Sequence, residues 1–423
     1  MKRALALLVC VLFLALATLH AQLNCNASNN SSTMICAVPQ IYDPGSLVSS
    51  SNTAAFQNYQ FASTTPAAIN GMAMNATIRD IGTELTTLPL ASPASGILFT
   101  FDRSLGVVMR SSESFGPIMG ERAETIGRHR LFVAAAYQYF PFSSLDGLSL
   151  EHVPGVYGSN DGSQNFMSTS TRVDLKVHQV TLYGTFGLTN RVDVSAAIPI
   201  LDVRLGIWSN AQIIQGGSPG SSNAFAWQNF ARGIGDVTFR AKGTVLKRER
   251  ASLAIGTEVR LPTGDEKNFL GSGATGVKPF VTASYRARVT PHANLGYEFN
   301  GTSILGGATV GTEGRLPDVL FYSGGADVGI TKRLTGAIDL LGQRLFGGFR
   351  VTEVPYVDAS GNTHPGFTQF VTKPGSSNIN DLAVGAKFSP IGNLLLTANM
   401  QFKLNDAGLR CRVIPLVGVA YAF

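Results

Sequence analysis

The chain has 423 residues, of which only 14% are charged and 46 are glycine, with a formal net charge of +6. A soluble protein of this length usually carries about 25% charge, and a helical membrane protein would show repeated apolar runs of about 20 residues, which are absent beyond the first segment. The charge excess is mild and no Lys/Arg cluster interleaves with aromatics, so there is no nucleic-acid footprint.

Lys2 and Arg3 precede an apolar run from Ala4 to Leu19, followed by His20-Ala21-Gln22. A basic start, a short apolar stretch and a small residue before a cut describe a secretory signal peptide, residues 1–21, and the run is too short to span a bilayer. Lys2 and Arg3 leave with it, which leaves 31 basic against 27 acidic side chains. Cys10 leaves too. Cys25 and Cys36 lie close together in a Ser/Asn-rich stretch and could pair in an oxidising periplasm; Cys411 is left over. No cysteine spacing suits zinc, and neither a metal nor a cofactor is expected.

Residues 22–128 differ from the remainder of the chain. Ser, Thr, Asn and Ala dominate 24–75, a Pro-rich passage covers 88–93, and Glu121-Arg122-Ala123-Glu124 closes the region. Two readings are open. The region could be a plug folded into a lumen, in which case Glu121, Arg122 and Glu124 would pair with lumen charges. It could instead be a partly flexible periplasmic extension with one or two further strands near 97–110.

From 129 to 423 the residues predict an all-β fold, a transmembrane antiparallel β-barrel. Candidate strands are 129–142, 172–188, 191–203, 234–246, 251–261, 277–289, 292–304, 318–330, 334–346, 381–389, 393–403 and 411–423, about twelve, or fourteen with the two near 97–110. Tight turns at 189–190, 247–250, 290–291, 331–333 and 390–392 alternate with long connections at 143–171, 204–233, 262–276, 305–317, 347–380 and 404–410. Short periplasmic turns and longer outer loops are the pattern of this barrel type. Side chains alternate between faces along a strand. In 234–246, Val237, Phe239, Ala241, Gly243 and Val245 oppose Asp236, Thr238, Arg240, Lys242 and Thr244. A Lys or Arg facing lipid at mid-bilayer costs about 2–4 kcal/mol, so charged faces must point inward. The expected lumen residues are Asp236, Arg240, Lys242, Glu258, Arg260, Lys278, Arg286, Arg288, Glu298, Asp327, Asp339, Asp381, Lys387 and Lys403. In 172–188 the pattern breaks near His178: Arg172, Asp174 and Lys176 share a nominal face with Val180, Leu182 and Phe186. Either a bulge shifts the register or the first part rises above the bilayer.

Several patterns look chemical. Gly271 to Gly276 matches the dinucleotide fingerprint, but a period-two strand succeeds it where a helix is required. Gly216 to Gly220 matches a nucleophile elbow, but Pro219 has no N–H to donate. His178 has no serine at the spacing an outer-membrane phospholipase would need. No catalytic residue is assigned, and the chain is not expected to be an enzyme.

The last strand, Val413 to Phe423, resembles the closing strand of bacterial outer-membrane barrels, where Phe423, Tyr421 and Val419 would form the assembly signal read by the barrel-assembly machinery. Gly233-Ile234-Gly235-Asp236-Val237-Thr238-Phe239-Arg240-Ala241-Lys242, Val259 to Asp265 and Asn268 to Gly273 resemble the outer-membrane family named for the meta-pathway of phenol degradation, over roughly 180–300. That family is regarded as transporters, similar in outline to long-chain fatty-acid channels. The resemblance implies a Gram-negative outer-membrane location among lipids, porin-like transport of small hydrophobic or aromatic compounds, and no nucleic-acid partner. Two other functions compete: a structural or surface-interaction barrel working through its loops, and, more remotely, a hydrolase. Twelve strands enclose a lumen narrower than that of the 16–18-stranded porins.

Overall fold

The computed structural model describes residues 33–37, 78–92, 99–102, 107–110, 114–159, 164–307, 312–358 and 360–423. The expected signal peptide, residues 1–21, and Cys25 lie outside the described residues. Cys36 is disulfide-bonded, to a partner outside them, and Cys411 is a buried free thiol.

Among the described residues, twelve antiparallel strands close on themselves: β1 (Leu131–Leu145), β2 (Phe166–Gly187), β3 (Val192–Gln215), β4 (Thr238–Lys247), β5 (Ala251–Arg260), β6 (Gly276–Tyr285), β7 (Val289–Asn300), β8 (Asp318–Gly329), β9 (Leu334–Val357), β10 (Thr363–Phe388), β11 (Leu394–Lys403) and β12 (Val413–Ala422). Each pairs with its sequence neighbours, and β12 pairs with β1 to complete the ring. Closure leaves no open edge in the bilayer, where an unpaired N–H or C=O would cost several kcal/mol. The segments Phe99–Asp102 and Val107–Arg110 pair only with each other, so the fourteen-strand alternative is excluded.

The alternation places apolar residues outward as expected. Leu182 is 43% exposed, Ile255 54%, Met400 53% and Val417 55%, whereas the neighbouring inward Gln179, Lys242 and Gln401 are each 2% or less. Higher on this face Tyr322 lies flat on Gly342, whose missing Cβ would otherwise sit 2.0 Å from the ring. Its hydroxyl reaches Asn378 at 3.0 Å and Asn380 at 2.7 Å. An aromatic with a polar tip at the edge of the apolar band is the usual interfacial anchor.

Two connections expected as loops are hairpins. The stretch 204–233 is the upper half of β3 and a strand, Ser218–Ile234, that pairs back on it. The stretch 347–380 belongs to β9 and β10, joined at 358–362. A spanning strand needs only about 9–11 residues, so β2 and β3, of 22 and 24 residues, stand well above the bilayer. That resolves the parity break at His178. The β2–β3 register runs without a shift from Phe166 to Gly187. Arg172, Asp174 and Lys176 stay on the outer face but above the lipid. Beside them, Asp202 pairs with Arg204 at 3.0 Å and Arg232 at 2.8 Å. His178 stacks on Tyr139 with centroids 4.7 Å apart and takes a 2.8 Å hydrogen bond with Tyr137. The outer end of β2 meets the tip of the second hairpin through Phe166, Tyr356, His364 and Phe367. A second correction concerns the turn expected at Thr290-Pro291: β7 begins at Val289 and the turn is 286–288.

The lumen in two levels and its central cavity

The inward face changes character with height. In the outer half it is apolar: Leu175, Val177, Val203, Leu205 and Ile207 form one buried cluster with Ile78, Ile81 and Leu85 of the helical residues 78–85, with Met34–Ala37, and with Phe269 and Leu305 of the outer connections. The chain enters this space because Ile78, Ile81 and Leu85 recur at helical spacing on one face. Gly82 presses against Phe269 and Leu305, where a Cβ would lie 2.9 and 2.8 Å from their side chains.

Two carboxylates, Asp80 and Glu84, share a face of this turn. Asp146 is the neighbouring carboxylate; it binds Arg350 at 2.8 Å and accepts from the N–H groups of Val351 and Gly408. Glu84 accepts from the backbone N–H of Leu409. Burial, then the charge of Asp146, pushes Asp80 up to about 7. Burial, then Asp80, raises Glu84 well above the usual carboxylate range.

In the periplasmic half the face is polar, and residues 114–126 run through it. Arg122 binds Asp327 at 2.6 Å. Asp339 accepts from the N–H groups of Met119 at 3.2 Å and Gly120 at 3.3 Å. Lys387 donates to the carbonyls of Phe115 and Pro117. Glu121 binds Lys242 at 2.9 Å and also Arg240. Lys242 donates to the carbonyls of Arg122 and Glu124, while Glu124 accepts from Ser284 at 2.7 Å and meets Arg286 at 3.5 Å.

The wall supplies its own pairs. Register sets Glu258 directly opposite both Arg240 and Lys278, so one carboxylate bridges two cations, with Lys278 at 2.6 Å. Arg260 spans Asp236 at 3.0 Å and Glu298 at 2.9 Å. It can do so because Gly276 stands opposite, where a Cβ would sit 2.4 Å from Glu298 and 2.9 Å from Arg260. Asp236 also accepts from the N–H groups of Gly264 at 3.1 Å and Ser272 at 2.8 Å. The residues that carry the family resemblance are therefore one unit, a strand end holding a glycine-rich connection down over the lumen.

Of the fourteen expected lumen residues, most lie buried in these pairs. Asp381 pairs with Arg410. Arg286 stands at the lower mouth. Arg288 does not line the lumen: it is exposed on the turn 286–288. Lys403 pairs with Asp406 at the outer end of β11. Sequence reasoning misses His292, which is buried between Asp339 at 2.5 Å and Asp327 at 3.7 Å, because Pro291 reads as a turn marker and puts it at a strand end. It also misses Asp193, which accepts from the N–H of Ile126, and Arg410, which falls in an expected connection.

Between the two levels is a cavity of about 250 Å³. Residues 86–92, Met119 and Glu121 bound it on one side, and Tyr183, Phe280, Phe321 and Ile379 with Arg240 and Lys278 on the wall. Lys278 lies 4.6 Å above the Phe321 ring and Arg240 5.1 Å above that of Phe280. Its cations already face carboxylates, so the cavity presents aromatic surface and neutralised charge rather than a net field.

No curated protein matches the chain in sequence. Among solved structures it is similar to an outer membrane channel from Pseudomonas putida F1, with 12% identity and a TM-score of 0.47 over 72% of this chain and 99% of that one. It is similar to a Pseudomonas aeruginosa FadL homologue, with 10% identity and a TM-score of 0.31 over 78% and 96%. The Ralstonia pickettii toluene transporter TbuX gives 11% identity and a TM-score of 0.26 over 70% and 89%. The closed ring and its apolar outer belt make the protein a transmembrane β-barrel of the bacterial outer membrane. Residues 158–316 match the family described as "Putative MetA-pathway of phenol degradation", the same outer-membrane family that residues 233–242 and 259–273 resemble.

Proposed function

We propose that the protein is a gated outer-membrane channel for small, largely apolar molecules of about one aromatic ring, with residues 78–92 and 114–126 acting as a two-level plug. The observation that carries this reading is the cavity of about 250 Å³ between plug and wall. An apolar cavity of about 150 Å³ binds benzene in another protein, so this volume suits one ring with a polar substituent and not an extended acyl chain. The apolar outer level favours solutes that shed water readily. The paired charges beneath it offer hydrogen bonds without a net field that would select one sign. Passage requires residues 114–126 to leave their ion pairs, so flux is gated rather than free.

The test is uptake of labelled single-ring compounds and of a long-chain fatty acid by cells with and without the gene, and by vesicles containing the purified protein. Uptake of the ring compounds should fall on deletion and appear in the vesicles, with little effect on the fatty acid. If permeability to every solute tried is unchanged, the channel reading is wrong.

A further inference from the structure

The periplasmic rim gathers basic side chains that are scattered in the sequence. The segment leading into β1 carries Arg128 and Arg130, and the β2–β3 turn ends in Arg191. The β4–β5 turn holds Lys247, Arg248 and Arg250, the β6–β7 turn Arg286 and Arg288, and the β8–β9 turn Lys332 and Arg333. Of the six periplasmic connections among the described residues, only that between β10 and β11 has none. Within these connections ten basic residues thus stand with a single exposed acid, Glu249; Asp193, just past the β2–β3 turn, is buried, and Glu124 is turned inward onto Ser284 and Arg286. The outer connections are mixed, as in Asp265-Glu266-Lys267 or Arg350 with Glu353.

Each basic turn sits at the foot of the apolar belt. Leu188 is 45% exposed, Leu246 42%, Val289 51% and Ile330 61%, and all four face outward beside the cations. Acyl chains against these residues put their headgroups at the level of the Lys and Arg tips, which can extend to that level on long apolar stems. We propose that this rim binds the phosphate headgroups of anionic phospholipids in the periplasmic leaflet. The distribution favours lipid over a protein partner. A docked protein would meet one patch, whereas these charges run round the barrel from β1 to β9, as a lipid annulus does. The surface does not depend on whether the barrel conducts.

The full-length protein is reconstituted in phosphatidylcholine vesicles containing phosphatidylglycerol and then extracted, and the retained lipids are counted by mass spectrometry. Phosphatidylglycerol should be enriched over its bulk share, and about 0.5 M salt should erase the enrichment, because exposed charges are screened within a few ångströms at that strength. K247Q/R248Q/R250Q and K332Q/R333Q should each lower the enrichment, by up to about fivefold per charge removed. R204Q/R232Q, on the outer hairpin, should leave it unchanged. Retention of the two lipids in their bulk ratio by the wild type, or enrichment that survives high salt or is equal in the rim variants, overturns the proposal. The salt titration uses the unmodified chain, so the proposal stays testable even if a variant fails to fold.

Discussion

Glu121→Gln is the sharpest probe of how the periplasmic level is latched. The Glu121 carboxylate takes two cations, Arg240 and Lys242. Removing its charge leaves Arg240 with Glu258, while Lys242 keeps the carbonyls of Arg122 and Glu124, at 2.9 and 3.2 Å, and Asp193 directly opposite it in the register. Breaking a buried ion pair by deleting one partner costs about 3–5 kcal/mol. Those retained carbonyl bonds offset part of that, and a charged hydrogen bond contributes about 1.5–3 kcal/mol, so a net loosening of about 1.5–2 kcal/mol is expected. At about 1.4 kcal/mol per tenfold, the undocked population of residues 114–126 should rise by roughly 10- to 30-fold. Single-channel recording in planar bilayers reads this as a rise in open probability at unchanged unit conductance. A double-mutant cycle with Lys242→Met isolates the pair. A coupling below about 0.5 kcal/mol, the size expected of a surface pair, or an open probability equal to wild type, would refute the latch.

The outer level should respond to pH in a defined direction. Burial holds Asp80 and Glu84 in their protonated forms, with Asp80 up to about 7. In the released, solvated segment they would titrate near about 4. Docking of residues 78–85 is therefore strongest in acid and weakens as pH rises from about 4 through about 7, where Asp80 titrates, so protease cleavage within 78–92 should increase over that window; cleavage that increases toward acid contradicts the assignment. Gly276→Ala should push Arg260 off Glu298 and leave buried charge uncompensated, lowering the unfolding midpoint of the heat-resistant band by the equivalent of about 1–3 kcal/mol. A midpoint equal to wild type would mean that the pair relaxes freely. Cys411, 4% exposed, should react with a maleimide only after unfolding, and labelling of the folded barrel would contradict its burial.

Much of the architecture is legible in the chain because alternation is a local property. A strand's two faces are set by successive residues, and the lipid penalty on charge decides which face is outside. Phe239 against Arg240 and Lys242, or Met400 against Gln401, needs no knowledge of neighbouring strands. The apolar edge of β12 is equally local. Turn assignment is weaker where one residue type stands for a conformation. Pro291 lies inside β7, and this single misplacement hides His292 and puts Arg288 in the lumen.

What remains for the tertiary structure is everything that depends on height and on partners far apart in the chain. Arg172, Asp174 and Lys176 obey the same alternation as Val180 and Leu182; only the length of β2 lifts them clear of the bilayer. The pairing of Arg122 with Asp327 joins residues 205 positions apart, and no pattern around either one names the other. The basic rim arises from five separate connections, of which only that between β4 and β5, Lys247-Arg248-Glu249-Arg250, is a charge cluster by itself. Closure of the ring brings them to one level, because every second connection of an antiparallel barrel must return to the same side of the membrane.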